Sequence, residues 1–269
     1  MYQEVAIQPT EGAVHYDLTV VIPTFNEKEN IGPMIRAVHE ICTEHKIFEE
    51  ILVVDDDSPD GTAGIVRSLQ ESMDNLEIMV RHSNHGLSPS LYDGILAAGA
   101  PLVQCIDCDF SHPPEKIPRF YRCLRENGCD MVIGSRYVKG GEVRNWAFHR
   151  EILSFGAATL GRVLIPHVHD SGSGFFAIKK GILDDVTLTP RGFRMGFEIL
   201  GKAGWARVAE IPITFKDREM GESKLRWRIL LQYLVQCLSI LEYNLVQRKS
   251  NAIARSWRIY LARGVPEQC

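Results

Sequence analysis

Two aspartates, Asp107 and Asp109, flank Cys108 at the end of an apolar run in "LVQCIDCDFSHPP" (102–114). The run reads as a buried strand, and a strand continued regularly would put residues two apart on one face. Two carboxylates so paired suit a hard divalent cation, Mg²⁺ or Mn²⁺, which bridges them to a diphosphate. The same residue types also cap helices, so such a pair needs support from elsewhere in the chain. Support comes from "VVDDDSPDGT" (53–62), where three acids follow an apolar run and a turn then opens a helix. Capping uses one acid, which leaves Asp55 and Asp56 as candidates for hydrogen bonds to the base or ribose of a nucleotide. In "PTFNEKENI" (23–31), Phe25 offers an apolar face, Glu27 an acceptor, and Asn26 a helix cap.

Basic residues supply the complementary half. "GSRYVKGGEVRNWAFHREILS" (134–154) carries Arg136, Lys139, Arg144 and Arg150 around paired glycines 140 and 141. It reads as a flexible loop whose arginines grip phosphate bidentately. Arg218 and Lys224 in "DREMGESKL" (217–225) repeat the theme. The C-x-x-C match at Cys105 and Cys108 carries less weight. Residues three apart on a strand face opposite ways, and the intervals to Cys123 and Cys129 fit no zinc site, so these read as core thiols.

These groups need elements to hold them. Apolar, β-branched runs at 18–23, 49–55, 76–81, 101–107 and 130–135 alternate with amphipathic stretches beginning near Glu27, Thr62, Ser88, Pro114 and Arg150. That alternation predicts an α/β fold, mainly a parallel sheet with helices on both faces. In such sheets the ligand crevice lies beyond the carboxyl ends of the strands, and the polar clusters follow four of those ends. The second half is less regular, with strands expected in 171–180 and 207–215 and a helix in 226–245.

Bulk properties narrow the classes. At 269 residues, 45% hydrophobic and 24% charged, the chain has the make-up of one globular domain. A net charge of -4 gives no general attraction to nucleic acid, so anionic ligands must be held locally. Seven irregularly spaced cysteines and an opening without signal-peptide character predict a reducing, cytoplasmic setting. No run reaches the roughly 18 apolar residues of a membrane span. The stretch from Arg248 to Arg263 holds five Lys/Arg and no acid, with Ile253, Trp257, Tyr260 and Leu261 on one helical face, which predicts an interfacial helix on anionic lipid.

Taken in order, "PTFNEKENI", "VVDDDSPDGT", "DCDFSHPPEKIP", "GSRYVKGG", "NWAFHREILSFGA", "SGSGFFAIKK" and "DREMGESKL" resemble the dolichol-phosphate (polyprenol-phosphate) mannosyltransferases of the inverting family 2 glycosyltransferases. The likeness runs from about Leu18 to Leu225. It implies a single Rossmann-like GT-A domain over 18–225, preceded by an extension (1–17) and followed by an amphipathic helix and basic tail (226–269). It implies transfer of mannose from GDP-mannose to a polyprenyl phosphate with a β-linked product, aided by Mg²⁺ or Mn²⁺.

By matching position, Pro23, Phe25, Glu27 and Asp56 would hold the nucleotide, with Asp55 beside them. Asp107 and Asp109 would take metal and diphosphate, with Ser111 as a further metal neighbour. Arg136, Arg150 and Ser154 would hold the acceptor phosphate, and Arg218 and Lys224 the donor diphosphate. Asp109, Arg136 and Arg150 are the expected catalytic set. Phe25 departs from the family's common Tyr, and Phe176 from its common Arg. The expected partners are a nucleotide sugar, a polyprenyl phosphate, the cytoplasmic face of a membrane and a small membrane-anchoring subunit. Rival readings are another donor, UDP-glucose or UDP-N-acetylglucosamine, and a silent partner subunit.

Overall fold

A computed structural model describes residues 15–144, 159, 161–162, 164–189, 194–204, 206–216 and 227–250, the last stretch with side chains only from 233 to 246. The strands are β1 (Leu18–Thr24), β2 (Glu49–Asp55), β3 (Leu76–Val80), β4 (Leu102–Cys105), β5 (Met131–Ser135), β6 (Glu142–Arg144), β7 (Phe176–Lys179), β8 (Val208–Pro212) and β9 (Thr214–Lys216). The helices are α1 (Ile31–Glu44), α2 (Thr62–Gln70), α3 (Leu87–Ala97), α4 (Ile117–Arg125), α5 (Met195–Lys202) and α6 (Trp227–Ser250). Seven strands form one sheet in the order β3-β2-β1-β4-β7-β5-β8, while β6 and β9 pair separately. Four pairings in the large sheet are parallel, and β7 runs antiparallel to both β4 and β5.

Period-two alternation explains why this sheet is covered on both faces. Val20 and Ile22 of β1 point into one apolar cluster with Met34, Ile35 and Phe120 of α1 and α4. Val21, between them, points into the other with Ile95 of α3 and Phe197 of α5. Each fully buried Ile or Phe contributes about 2 kcal/mol of transfer free energy. On the second face α3 approaches the sheet at Gly94, where a Cβ would lie 2.5 Å from Val21 Cγ1 and 2.9 Å from Val54 Cγ2. Only glycine lets that helix sit so close.

Several sequence expectations shift in detail. The strand expected to carry Asp107 ends at Cys105, so both aspartates lie in the turn beyond it, where Phe110 takes φ 57°. Within "SGSGFFAIKK" the strand begins only at Phe176. The 207–215 run divides into β8 and β9, which belong to different sheets. Asn26 does not cap α1. It lies at φ 59° in the preceding loop, and Asn30 occupies the cap position without a side-chain cap bond. The described cysteines are buried and form no disulfide, in keeping with core thiols.

Candidate active site

The order of strands puts a crevice at the carboxyl end of β1 and β4, where the chain leaving β1 runs on to β2 and the chain leaving β4 to β5, toward opposite edges of the sheet. The loop leaving β1 is stitched onto the loop leaving β2. The Asn26 amide donates to Ser58 Oγ at 3.0 Å, the Glu27 amide to Thr62 Oγ1 at 3.0 Å, and the Lys28 amide to Asp60 Oδ2 at 3.0 Å. The Thr62 hydroxyl also donates to Asp60 Oδ1 at 2.6 Å. These bonds hold Asp60 below the usual carboxylate range, although desolvation, the largest single influence, acts the other way. Pro23 pairs beside Val54 at the end of β1, and Phe25 stands 57% exposed. Glu27 is buried and accepts a hydrogen bond from Asn30 Nδ2 at 2.7 Å.

Asp55 and Asp56 both have protein partners. Asp55, fully enclosed, accepts bonds from Thr24 Oγ1 at 2.8 Å and from the Ser58 amide and hydroxyl at 2.9 and 2.7 Å. A ligand reaching it would have to displace Ser58. Asp56 pairs with Arg81 and accepts the Gly86 amide at 2.6 Å and Ser90 Oγ at 2.8 Å. Arg81 also binds Asp93 at 2.7 Å. Sequence reading missed this Arg81 network, because nothing near 81 or 90 in the chain signals a link to residue 56.

Asp107 and Asp109 lie part-exposed in the turn after β4. Asp109 Oδ1 accepts the Ser111 amide at 3.0 Å, and the Ser111 carbonyl accepts the Lys216 amide at 3.2 Å, so Ser111 joins this turn to β9. His112, unremarked in the sequence, is buried against Phe175 with ring centroids 5.3 Å apart, and meets Phe215 edge-on at 5.4 Å. Its Nδ1 approaches Asp107 Oδ2 to 3.4 Å without hydrogen-bond geometry. Burial pushes its pKa down, against the raising influence of Asp107 and Asp109, so the ring is neutral at neutral pH. Because His112 feels both carboxylates, they converge on one locality.

The donor set fits a hard cation in one respect. It offers two part-exposed carboxylates, and among the described residues no three His, Cys, Asp or Glu form a closed cage. An open pair suits Mg²⁺ or Mn²⁺, which keep positions for substrate phosphate oxygens.

Arg136 is committed to an internal pair. Its Nε and Nη2 donate to Asp170 Oδ2 and Oδ1, both at 2.7 Å, and its amide donates to Oδ2 at 3.0 Å. Burial works against the charge, but Asp170 outweighs it and raises the guanidinium's pKa further. Asp170 is in turn fixed by Glu210, whose Oε1 accepts the Asp170 amide at 2.9 Å. In its described part the loop after Arg136 turns tightly. Gly140 sits at φ 90°, and a Cβ at Gly141 would fall 2.6 Å from the Ser135 carbonyl oxygen. Lys139 is exposed, and Arg144, also exposed, pairs with Glu142 at 2.9 Å. Arg150, Ser154, Arg218, Lys224 and the tail beyond Ser250 lie outside the described residues.

Because β7 runs antiparallel, its entry loop, Asp170 to Phe175, reaches the same edge as the ends of β4 and β5. A Cβ at Gly174 would lie 3.3 Å from His112 Cε1 and 3.5 Å from Asp107 Oδ2. This Ser-Gly-Ser-Gly loop therefore lines the crevice, which strand direction alone reveals. An open hollow of about 750 Å³ bordered by His39, Phe48, Glu49 and Asn75 is elsewhere, at the amino end of β2.

Residues 19–187 match the Glycosyl transferase family 2 profile. The chain belongs to that family. Membership makes it a glycosyltransferase of GT-A fold, with the mostly parallel sheet described above. It is 39% identical over 220 residues to a dolichol-phosphate mannosyltransferase of Pyrococcus furiosus, covering 81% of this chain and 61% of that protein. It is 36% identical over 230 residues to a polyprenol monophosphomannose synthase of Mycolicibacterium smegmatis, covering 81% and 83%. Among solved structures, glucosyl-3-phosphoglycerate synthase from Mycobacterium tuberculosis, in complex with Mn²⁺, UDP and phosphoglyceric acid, superposes with TM-score 0.65 at 18% identity. That likeness covers 84% of this chain and 78% of the other, and it concerns the fold.

Proposed function

We propose that the chain transfers mannose from GDP-mannose to a polyprenyl (dolichyl) phosphate with inversion, yielding a β-linked lipid-phosphate mannose and GDP. The observation that carries the reading is the convergence of Asp107 and Asp109 at the switch-point crevice, beside the anchored loops of β1 and β2, in a chain resembling two lipid-phosphate mannose enzymes. Pro23, Phe25, Glu27 and Asp56 line the nucleotide side, with Asp55 fixing the loop that carries them. Asp107 and Asp109, beside Ser111, would hold Mg²⁺ or Mn²⁺, which when bound neutralises the diphosphate leaving group.

The acceptor is already an anion. Its phosphate oxygen attacks the anomeric carbon from the face opposite the diphosphate, the carbon–oxygen bond to GDP breaks, and the electron pair leaves on the β-phosphate. No proton has to be removed, so the protein's work is positioning and charge neutralisation. Arg136 and Arg150, with Ser154, are proposed on the acceptor phosphate, and Arg218 and Lys224 on the donor diphosphate.

The same reading places the enzyme peripherally on the cytoplasmic face of a membrane. Among the described residues no helix is long and apolar enough to cross one. Support comes from α6, where Leu234, Leu238, Leu241 and Leu245 form an exposed ridge at helical spacing. The test is Mn²⁺-dependent transfer from labelled GDP-mannose to a short polyprenyl phosphate, with UDP-glucose and UDP-N-acetylglucosamine in parallel. Label from GDP-mannose alone is expected, and Asp109→Ala should lower it at least about 100-fold while leaving the circular dichroism unchanged. Label from a UDP-sugar would replace the donor, and no transfer from any would refute the reading.

A further inference from the structure

Arg194 is the cation in the described structure whose position asks for a ligand. It lies just before α5, part-buried, with its guanidinium carbon 5.3 Å from the centre of the Tyr233 ring. A Cβ added at Gly172 would collide with its Nη1, so the guanidinium is pressed against the Ser-Gly-Ser-Gly loop. Arg136 is close enough for its charge, together with the larger influence of burial, to push the Arg194 pKa down. The nearby Asp170 is already held bidentately by Arg136. Among the described residues no carboxylate lies within salt-bridge distance of Arg194, and its guanidinium donates no hydrogen bond. A part-buried charge left in that state is costly unless an anion completes it. A guanidinium with all its N–H groups unspent is the side chain best shaped to take a phosphate.

Its location selects which phosphate. Gly172, against Arg194, and Gly174, against Asp107, are two residues apart, so their Cα atoms are separated by at most about 7 Å. Arg194 and Asp107 thus both border this short loop, at positions two residues apart along it. Arg194 is also held by α6, through the Tyr233 ring and through Gln236 Nε2, which donates to the Arg194 carbonyl at 3.0 Å. α6 is also the helix that carries the exposed leucine ridge. An anion that arrives attached to a lipid meets both features of that helix. A soluble nucleotide does not.

We propose that Arg194 binds the phosphate of the lipid acceptor, in a pocket formed by Gly172, Tyr233 and the Arg136–Asp170 pair, and so sets acceptor affinity. The assignment rests on the lipid-phosphate reading of the previous section. The Arg136–Asp170 pair, neutral overall, forms one side of that pocket, and Arg194 adds its donors to the acceptor-phosphate residues proposed above.

The test measures binding without turnover. Calorimetric titration of a short-chain polyprenyl monophosphate into the full-length protein with GDP and Mn²⁺ gives acceptor affinity, and GDP titration with Mn²⁺ gives nucleotide affinity. Arg194→Met should weaken the lipid phosphate about 10- to 100-fold and leave GDP unchanged. Its melting temperature should be equal to or above that of the wild type, because an uncompensated charge has been removed. A structural arginine would lower it. Arg194→Lys, a point charge without the planar fork, should fall between the two and serves if the Met variant fails to fold. If the wild type binds the lipid phosphate and Arg194→Met binds it equally well, the Arg194 assignment is wrong while the function stands. Loss of GDP affinity instead would move the arginine to the donor and overturn the proposal. Failure of the wild type to bind lipid phosphate would overturn both.

Discussion

At the scale of single residues, the crevice is defined by which charges are already spent. Asp55, Asp56 and Arg136 have the types a ligand site uses, but the folded chain gives all three internal partners. His112 makes the opposite point, since a residue unremarked in the sequence holds a buried ring nitrogen 3.4 Å from Asp107 Oδ2. Replacing it with Phe keeps the stack between Phe175 and Phe215 and removes the nitrogen 3.4 Å from the carboxylate. The Mn²⁺ concentration for half-maximal transfer should rise about 10- to 100-fold, as for other groups supporting a metal-binding carboxylate, with little change in melting temperature. An unchanged Mn²⁺ requirement would reduce His112 to packing.

Between elements, the site depends on loops tied to each other. Asp60 joins the loop after β2 to the Lys28 amide in the loop after β1. Its folded pKa is lowered, so the stability it contributes is present above the ordinary value of 3.8 and is lost as pH falls through the lowered one. Asp60→Asn should therefore destabilise the protein at pH 7 by less than about 1 kcal/mol, since water screens so exposed a group. The gap between variant and wild type should narrow in denaturant titrations as pH falls below 3.8 and through the lowered folded value. A gap that does not narrow at all in acid would show that the carboxylate charge is not its source.

For the whole molecule, the crevice and the leucine ridge are joined through α6. Asn244 Nδ2 donates to the Gly201 carbonyl at 3.0 Å, and Ile240 packs where Gly201 has no side chain, so α6 is docked firmly on α5. Its outward leucines remain exposed. Leu238→Asp with Leu241→Asp should lower co-sedimentation with anionic vesicles at least about tenfold, with activity on a short, detergent-soluble acceptor retained. Vesicle binding that survives the double change would remove the ridge from the membrane-contacting surface. Deleting residues 251–269 in parallel separates the ridge from the basic tail.

How much of this was legible in the chain follows from the range of each interaction. Strand and helix positions through β5 were readable because hydrophobic period is local, and the acid clusters at the ends of β1, β2 and β4 located the crevice by the parallel-sheet rule. The family likeness rested on those same short motifs. Tertiary structure decided what depends on distant partners. It set β7 antiparallel, which carries the loop from Asp170 to Phe175 into the crevice. It paired Arg136 with Asp170 and Asp56 with Arg81, and it left Arg194 beside Tyr233 with no salt-bridging acid among the described residues. Residue type and spacing state what a side chain is able to bind. Only packing states which of those capacities the protein has used on itself, because a charge is neutralised by whatever the fold brings within a few ångströms, however far away it lies in sequence.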